Sequence, residues 1–181
     1  AFRVDDNKDL DRFDYDLSFI KNWNLYLQRD YNGLVLLDPL ESQRGCLFRC
    51  SFCFHSDDLY CNSTGRKALA AHSIDYVIDK VKYLKKTTGI DNMTFCDDEF
   101  WIDSKRSLAI MEKLKQIGVE LLYIRIRFSS IDSDMLKELK RLNVHSVACG
   151  LESGGKRIFK LMNKGQSLET VEKKLKILND E

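Results

Sequence analysis

Val119-Glu120-Leu121-Leu122-Tyr123-Ile124-Arg125-Ile126-Arg127-Phe128 decides the architecture. The run is rich in β-branched and aromatic residues and reads as a strand. Gly118 stands before it, where it ends a helix that Asp103 or Ser104 caps and that carries Leu108, Met111, Leu114 and Ile117 at helical spacing. Asp132 follows it and caps a third helix with Met135, Leu136, Leu139 and Leu142 on one face. Working outward, Ile90–Cys96 and Val144–Cys149 read as further short strands. Ser73 caps a helix with Ile74, Val77, Ile78, Val81 and Leu84, which Gly89 stops. Asn143 sits where a helix end wants a left-handed residue. A short helix near Lys156–Met162 and a last one capped by Ser167, with Leu168, Val171, Leu175 and Leu178, complete the series. Strands alternating with helices imply right-handed βαβ units and a parallel sheet.

Counting the run Leu34–Asp38, closed by Pro39, gives four strands. A closed eight-stranded barrel takes roughly 250 residues, and this sequence has 181. The expectation is an α/β fold with four parallel strands, either a small open sheet or part of a barrel, and a piece of a larger protein. The first thirty or so residues differ. Aspartates alternate with Phe13, Tyr15, Phe19, Trp23, Tyr26 and Tyr31 without a period, so residues 1–32 read as an arm and 33–181 as the core domain.

Composition narrows the function class. Hydrophobic residues make 44% and charged residues 31%, as in an ordinary folded domain. The formal net charge of +1 disfavours gripping nucleic acid by charge alone. No apolar run exceeds four residues, as in Leu34–Leu37, so no membrane span and no secretory signal are expected. Six cysteines, three of them within eight residues, suit a reducing cytoplasmic setting with one metal cluster better than a disulfide scaffold.

That cluster is Gly45-Cys46-Leu47-Phe48-Arg49-Cys50-Ser51-Phe52-Cys53, spaced C-x3-C-x2-C. Thiolates are soft ligands that suit iron–sulfur groups or zinc. Three thiolates on a [4Fe–4S] cluster leave one iron open, and an open metal position is what catalysis needs. The rival is a closed zinc site made by Cys46, Cys50, Cys53 and His55 in a non-catalytic binding module. Cys61, Cys96 and Cys149 read as packing residues, and His72 and His145 as structural or surface residues.

The cysteine spacing resembles the signature of the radical S-adenosylmethionine superfamily. The later segments Asp97-Asp98-Glu99-Phe100, Arg127 with Ile131-Asp132, Gly150-Leu151-Glu152-Ser153-Gly154 and Leu161-Met162-Asn163-Lys164-Gly165 are similar to the branch whose members carry an upstream cobalamin domain. The stretch Leu10–Leu17 is similar to the linker of that branch but lacks its usual prolines.

The resemblance implies a partial (β/α) barrel, truncated here to about four parallel strands with helices outside and incomplete at the C-terminal side. It implies that Cys46, Cys50 and Cys53 hold a [4Fe–4S] cluster whose open iron binds S-adenosylmethionine. Phe52 would lie near the adenine. Asp97, Asp98, Glu99, Arg127 and Glu152 would be cofactor contacts. Glu152 is suited to an amine or ribose, or to pairing with Arg127. The implied reaction is reductive cleavage of S-adenosylmethionine to a 5′-deoxyadenosyl radical, leading to cobalamin-dependent methyl transfer or a radical rearrangement on a small molecule. The cobalamin would come from an upstream domain absent from this sequence, and the electron from a flavodoxin or ferredoxin. Methylthiolation is the alternative within the superfamily.

Overall fold

In a computed structural model the described residues are 11, 20–22, 25, 27–29, 35–54 and 69–180. The elements in order are β1 (Leu27–Arg29), β2 (Val35–Leu40), β3 (Gln43–Gly45), β4 (Leu69–Ala71), α1 (Ile74–Thr88), β5 (Asn92–Phe95), α2 (Ser104–Gln116), β6 (Glu120–Ile126), α3 (Ser133–Arg141), β7 (Val144–Cys149), α4 (Lys156–Leu161) and α5 (Leu168–Asp180). One sheet runs β1-β2-β5-β6-β7, and β3 pairs with β4 in a second. β2, β5, β6 and β7 are mutually parallel, as the strand–helix alternation predicts. The chain is therefore an α/β domain built on a parallel sheet with covering helices.

The helix ends form for the expected reasons. The side chains of Ser73, Asp103 and Asp132 each accept from a backbone N–H three residues on, at Tyr76, Arg106 and Met135. Gly89 is left-handed at φ 71°, and Asn143 takes the same region at φ 57°. One apolar face of each helix enters a common core with the sheet. It includes Val77, Val81 and Leu84 of α1, Ile110, Met111 and Leu114 of α2, Leu136 and Leu139 of α3, and Val171 of α5. Met93, Thr94 and Phe95 of β5 are all buried, which marks a strand covered on both faces. Phe95 stacks on Phe100 with centroids 5.0 Å apart.

Four features depart from the sequence reading. Residues 27–29 of the arm form β1, an antiparallel edge strand on β2. Another arm residue, Asp11, accepts from the Ser73 backbone N–H at 3.1 Å and lies 2.9 Å from His72 Nδ1, so it is tied to the start of α1. Pro39 does not end the first parallel strand but lies inside it, where the register against β5 shifts between Leu37 and Leu40. A proline has no N–H for the ladder, and an irregularity is where a sheet tolerates one. The small β3–β4 pair was not anticipated. It brackets the cysteine loop, which leaves β3 at Gly45 with φ 88°. His55 and Cys61, named above, lie outside the described residues, as do the arm aromatics.

Candidate functional site

The cysteine loop leaves β3 and meets the far side of the sheet rather than its own strand neighbours. Ser51 N–H donates to Met162 O at 3.0 Å, and Ser51 Oγ donates to Leu161 O at 2.7 Å. Asn163 Nδ2 donates to Arg49 O at 3.1 Å. Within the loop, Cys53 N–H donates to Cys50 O at 3.1 Å. The turn after α4 therefore holds the loop across the carboxyl ends of the parallel strands, where α/β folds gather ligands.

Beneath the loop lies a cavity of about 460 Å³. Its walls include all three clustered cysteines and the residues leaving β5, β6 and β7, namely Asp98, Glu99, Arg127 and Gly150. Phe52 and Glu152 are also on the wall. The volume is in the ordinary range for small-molecule and cofactor sites. Every expected site residue except Asp97 thus shares one cavity.

Asp97 is the exception. It is 1% exposed and turned toward β3, not the cavity. Its carboxylate accepts from Ser42 N–H at 2.7 Å, Ser42 Oγ at 2.5 Å and Gln43 N–H at 3.3 Å. Arg106 completes the network by donating to Ser42 Oγ, Ser42 O and His72 O. Burial pushes the Asp97 carboxyl up to about 6 despite these donors. The residue fastens β3, and so the start of the cysteine loop, to the end of β5.

Glu99 is 3% exposed, and burial pushes it up to about 7. Gln43 Nε2 donates to its backbone carbonyl at 2.5 Å, while its Oε1 is buried without a hydrogen-bond partner. Arg127 is 8% exposed. It does not pair with Glu152. Its Nη1 lies 3.7 Å from Cys50 Sγ, and its guanidinium carbon sits 3.7 Å from the centroid of the Phe48 ring. Its Nε and Nη2 are buried without partners among the described residues. Glu152, left-handed at φ 64°, pairs with Lys164 at 3.0 Å. Lys164 Nζ also donates to Gly150 O at 2.7 Å and stands 5.9 Å from the Phe52 ring centroid. A side chain at Gly150 would displace the Glu152 carboxylate, because an added Cβ would stand 2.3 Å from its Oε1.

Wall residues that were not among the expected site residues include Phe48, Arg125, Cys149 and Lys164. Arg125 had a signal, since it is two positions from Arg127 on the same strand. Cys149, read as a packing residue, lines the cavity with its thiol pushed up to about 11 by burial, with Glu99 adding to the effect. Burial also raises Cys46, and Asp98 and Glu99 push it the same way.

The donor set fits an iron–sulfur group. Three soft sulfurs face one cavity, and a guanidinium N–H is directed at one of them. In such a group each of the three cysteines would bind a separate iron. The unpartnered Glu99 and Arg127 atoms are polar groups whose partners a ligand would supply.

Comparison with known proteins agrees with this geometry. An uncharacterized methyltransferase of Pyrococcus horikoshii is 31% identical over 135 residues, covering 72% of this chain and 28% of the relative. A Methanocaldococcus jannaschii protein provisionally named a methylthiotransferase is 27% identical over 149 residues, covering 78% of this chain and 32% of the relative. The chain thus spans under a third of the length of these curated relatives. Among solved structures, the radical S-adenosylmethionine methyltransferase TsrM of Kitasatospora setae, with tryptophan and a cofactor analogue bound, superposes with a TM-score of 0.61 at 17% identity. That superposition covers 80% of this chain and 28% of TsrM, and it establishes likeness of fold. The sequence pattern of the Radical SAM superfamily matches residues 40–181, from the last residue of β2 through β5, β6 and β7 and the whole cavity wall, and the chain belongs to that superfamily.

Proposed function

We propose that the protein containing this chain is a radical S-adenosylmethionine enzyme that transfers a methyl group to a small molecule with the help of cobalamin. The observation that carries the reading is the convergence of Cys46, Cys50 and Cys53 on one cavity at the carboxyl ends of the parallel strands. These three residues would hold a [4Fe–4S] cluster, with Phe52, Asp98, Glu99, Arg127 and Glu152 turned to the cofactor. A cluster held there would supply the electron for reductive cleavage of S-adenosylmethionine.

The chain's own residues supply binding and orientation. The wall mixes cations (Arg125, Arg127 and Lys164) with carboxyl groups (Asp98, Glu99 and Glu152) instead of presenting one sign. A lining of both signs suits a zwitterionic amino acid with a neighbouring sulfonium better than a phosphate or a simple cation. Phe48 and Phe52 offer apolar ring faces on the same wall. Lys164 keeps Glu152 in place at the rim, and the hydrogen bonds from Ser51 and Asn163 hold the cysteines over the cavity.

Cobalamin and methyl transfer are supported by the relatives named as methyltransferases, and by TsrM, which has also been solved with cobalamin and a [4Fe–4S] cluster bound. An upstream domain would bring the cobalamin, and a flavodoxin or ferredoxin the electron. No helix among the described residues is long and apolar enough to cross a membrane, and the enzyme would work in the cytoplasm. The M. jannaschii relative favours methylthiolation as the second reading, and a further cluster-binding cysteine set upstream would be its mark.

The test is anaerobic reconstitution of the full-length protein with iron and sulfide, followed by reduction with S-adenosylmethionine and methylcobalamin present. The expected result is visible iron–sulfur absorption, cofactor cleavage that requires all three cysteines, and methyl transfer to an added acceptor that requires cobalamin. One zinc per chain, no inorganic sulfide and no cofactor cleavage would overturn the reading.

A further inference from the structure

The geometry points to Arg127 as a positioning residue that sets the electron affinity of the iron–sulfur group carried by Cys50, an inference that rests on the function proposed above. Arg127 leaves the end of β6 and reaches under the cysteine loop. The loop supplies both of its contacts. Phe48 provides a ring face 3.7 Å from the guanidinium carbon, and Cys50, two residues on, provides a sulfur 3.7 Å from Nη1. Stacking on the ring fixes the plane of the guanidinium, and that plane directs one N–H at the sulfur. Behind it, Gly165 offers no side chain, and a Cβ there would stand 4.0 Å from Nη2. Nη1 serves Cys50 while Nε and Nη2 have no hydrogen-bond partner, so no carboxylate is bound directly to the guanidinium among the described residues.

A guanidinium in proteins stays charged, and its N–H bonds to anionic acceptors are stronger than neutral ones. Hydrogen bonds to cluster sulfurs and burial are the protein's means of tuning a cluster's potential. When an external reductant adds one electron, negative charge on the sulfurs grows and no protein bond is made or broken. A fixed cation at Cys50 stabilises that state more than the oxidised one. Arg127 therefore raises the reduction potential and makes the electron easier to accept.

The experiment compares wild type, Arg127→Gln and Arg127→Lys in the reconstituted full-length protein, titrated with dithionite and followed by electron paramagnetic resonance. Iron and sulfide are counted first. The expected result is unchanged cluster content with a reduction equilibrium at least tenfold less favourable in Arg127→Gln, about 59 mV for one electron. Arg127→Lys keeps the charge and loses less. Equal cluster content with all three equilibria within threefold overturns the inference while leaving the proposed function intact. A wild type that takes up zinc and no sulfide overturns both. A fold-independent measurement uses wild type labelled with 15N-arginine. A nitrogen hyperfine coupling to the reduced cluster, lost in labelled Arg127→Lys, supports the inference, and absence of any such coupling in wild type overturns it even if Arg127→Gln fails to assemble.

Discussion

Asp97→Ala separates structural work from cofactor contact within the acidic run after β5. The substitution removes the acceptor for two buried backbone N–H groups and the Ser42 hydroxyl, and it leaves Arg106 facing the gap. Stranding a buried donor costs about 1–3 kcal/mol each. Against that, the mutation relieves the burial penalty on an ionised carboxylate. A carboxyl raised from 3.8 to about 6 carries a penalty of about 3 kcal/mol when fully ionised. At about 2 kcal/mol for each of the three donors, less that penalty, the net cost at pH 7 is roughly 3 kcal/mol.

The sign with pH follows from linkage. The folded state binds the Asp97 proton more tightly than the unfolded state, so the stabilisation is fully present below pH 3.8 and is lost as pH rises through about 6. At pH 5 the folded side chain is mostly protonated and the unfolded one mostly ionised. Asp97→Ala should therefore cost about 1 kcal/mol more at pH 5 than at pH 7. Asp97→Asn keeps the shape and the backbone acceptor and should cost about 1 kcal/mol at pH 7. The assay is urea denaturation of metal-free protein followed by far-UV circular dichroism under reducing conditions. A cost for Asp97→Ala below 1 kcal/mol at both pH values, or one larger at pH 7 than at pH 5, refutes the reasoning.

Other consequences are simpler to state. Glu99→Gln should flatten the fall in stability of metal-free protein between about pH 4.5 and 7, because the wild-type carboxyl holds its proton in the fold and gives it up as pH passes about 7; an unchanged slope in urea melts would contradict this. Cys46→Ser, Cys50→Ser and Cys53→Ser should each abolish stable iron and sulfide uptake. Cys149→Ser should leave both counts at the wild-type level, because the Cys149 thiol is held protonated near 11 and does not offer a thiolate. Gly150→Ala pushes the Glu152 carboxylate off Lys164, and should weaken cofactor binding at least tenfold in equilibrium dialysis while changing the urea midpoint little, because the displaced atoms end a flexible side chain.

The parallel core was legible because its signals are local. Ser73, Asp103 and Asp132 announce helix starts, Gly89 and Asn143 announce ends, and the apolar period between them is unambiguous. What escaped depends on partners far along the chain. β1, β3 and β4 have three residues each, too few to show a period, and they become strands only because a neighbour offers a ladder. Pro39 argued for a strand end, and only pairing with β5 shows that the sheet absorbs it at a register shift.

The site divides the same way. The spacing of Cys46, Cys50 and Cys53 states its chemistry in eight residues, and it needed no fold to be read. The three neighbouring acids Asp97, Asp98 and Glu99 look equivalent on paper. The structure separates them because Ser42 and Gln43, where β3 begins more than fifty residues earlier, claim only the first. Likewise Cys50 is positioned through Ser51 by Leu161 and Met162, about 110 residues away. A loop of three thiols is a ligand set only when something else holds it over a cavity, and here that something is the turn after α4. Cluster binding should therefore depend on Asn163 and Ser51, which do not line the cavity, and the sulfur spacing alone gives no sign of them.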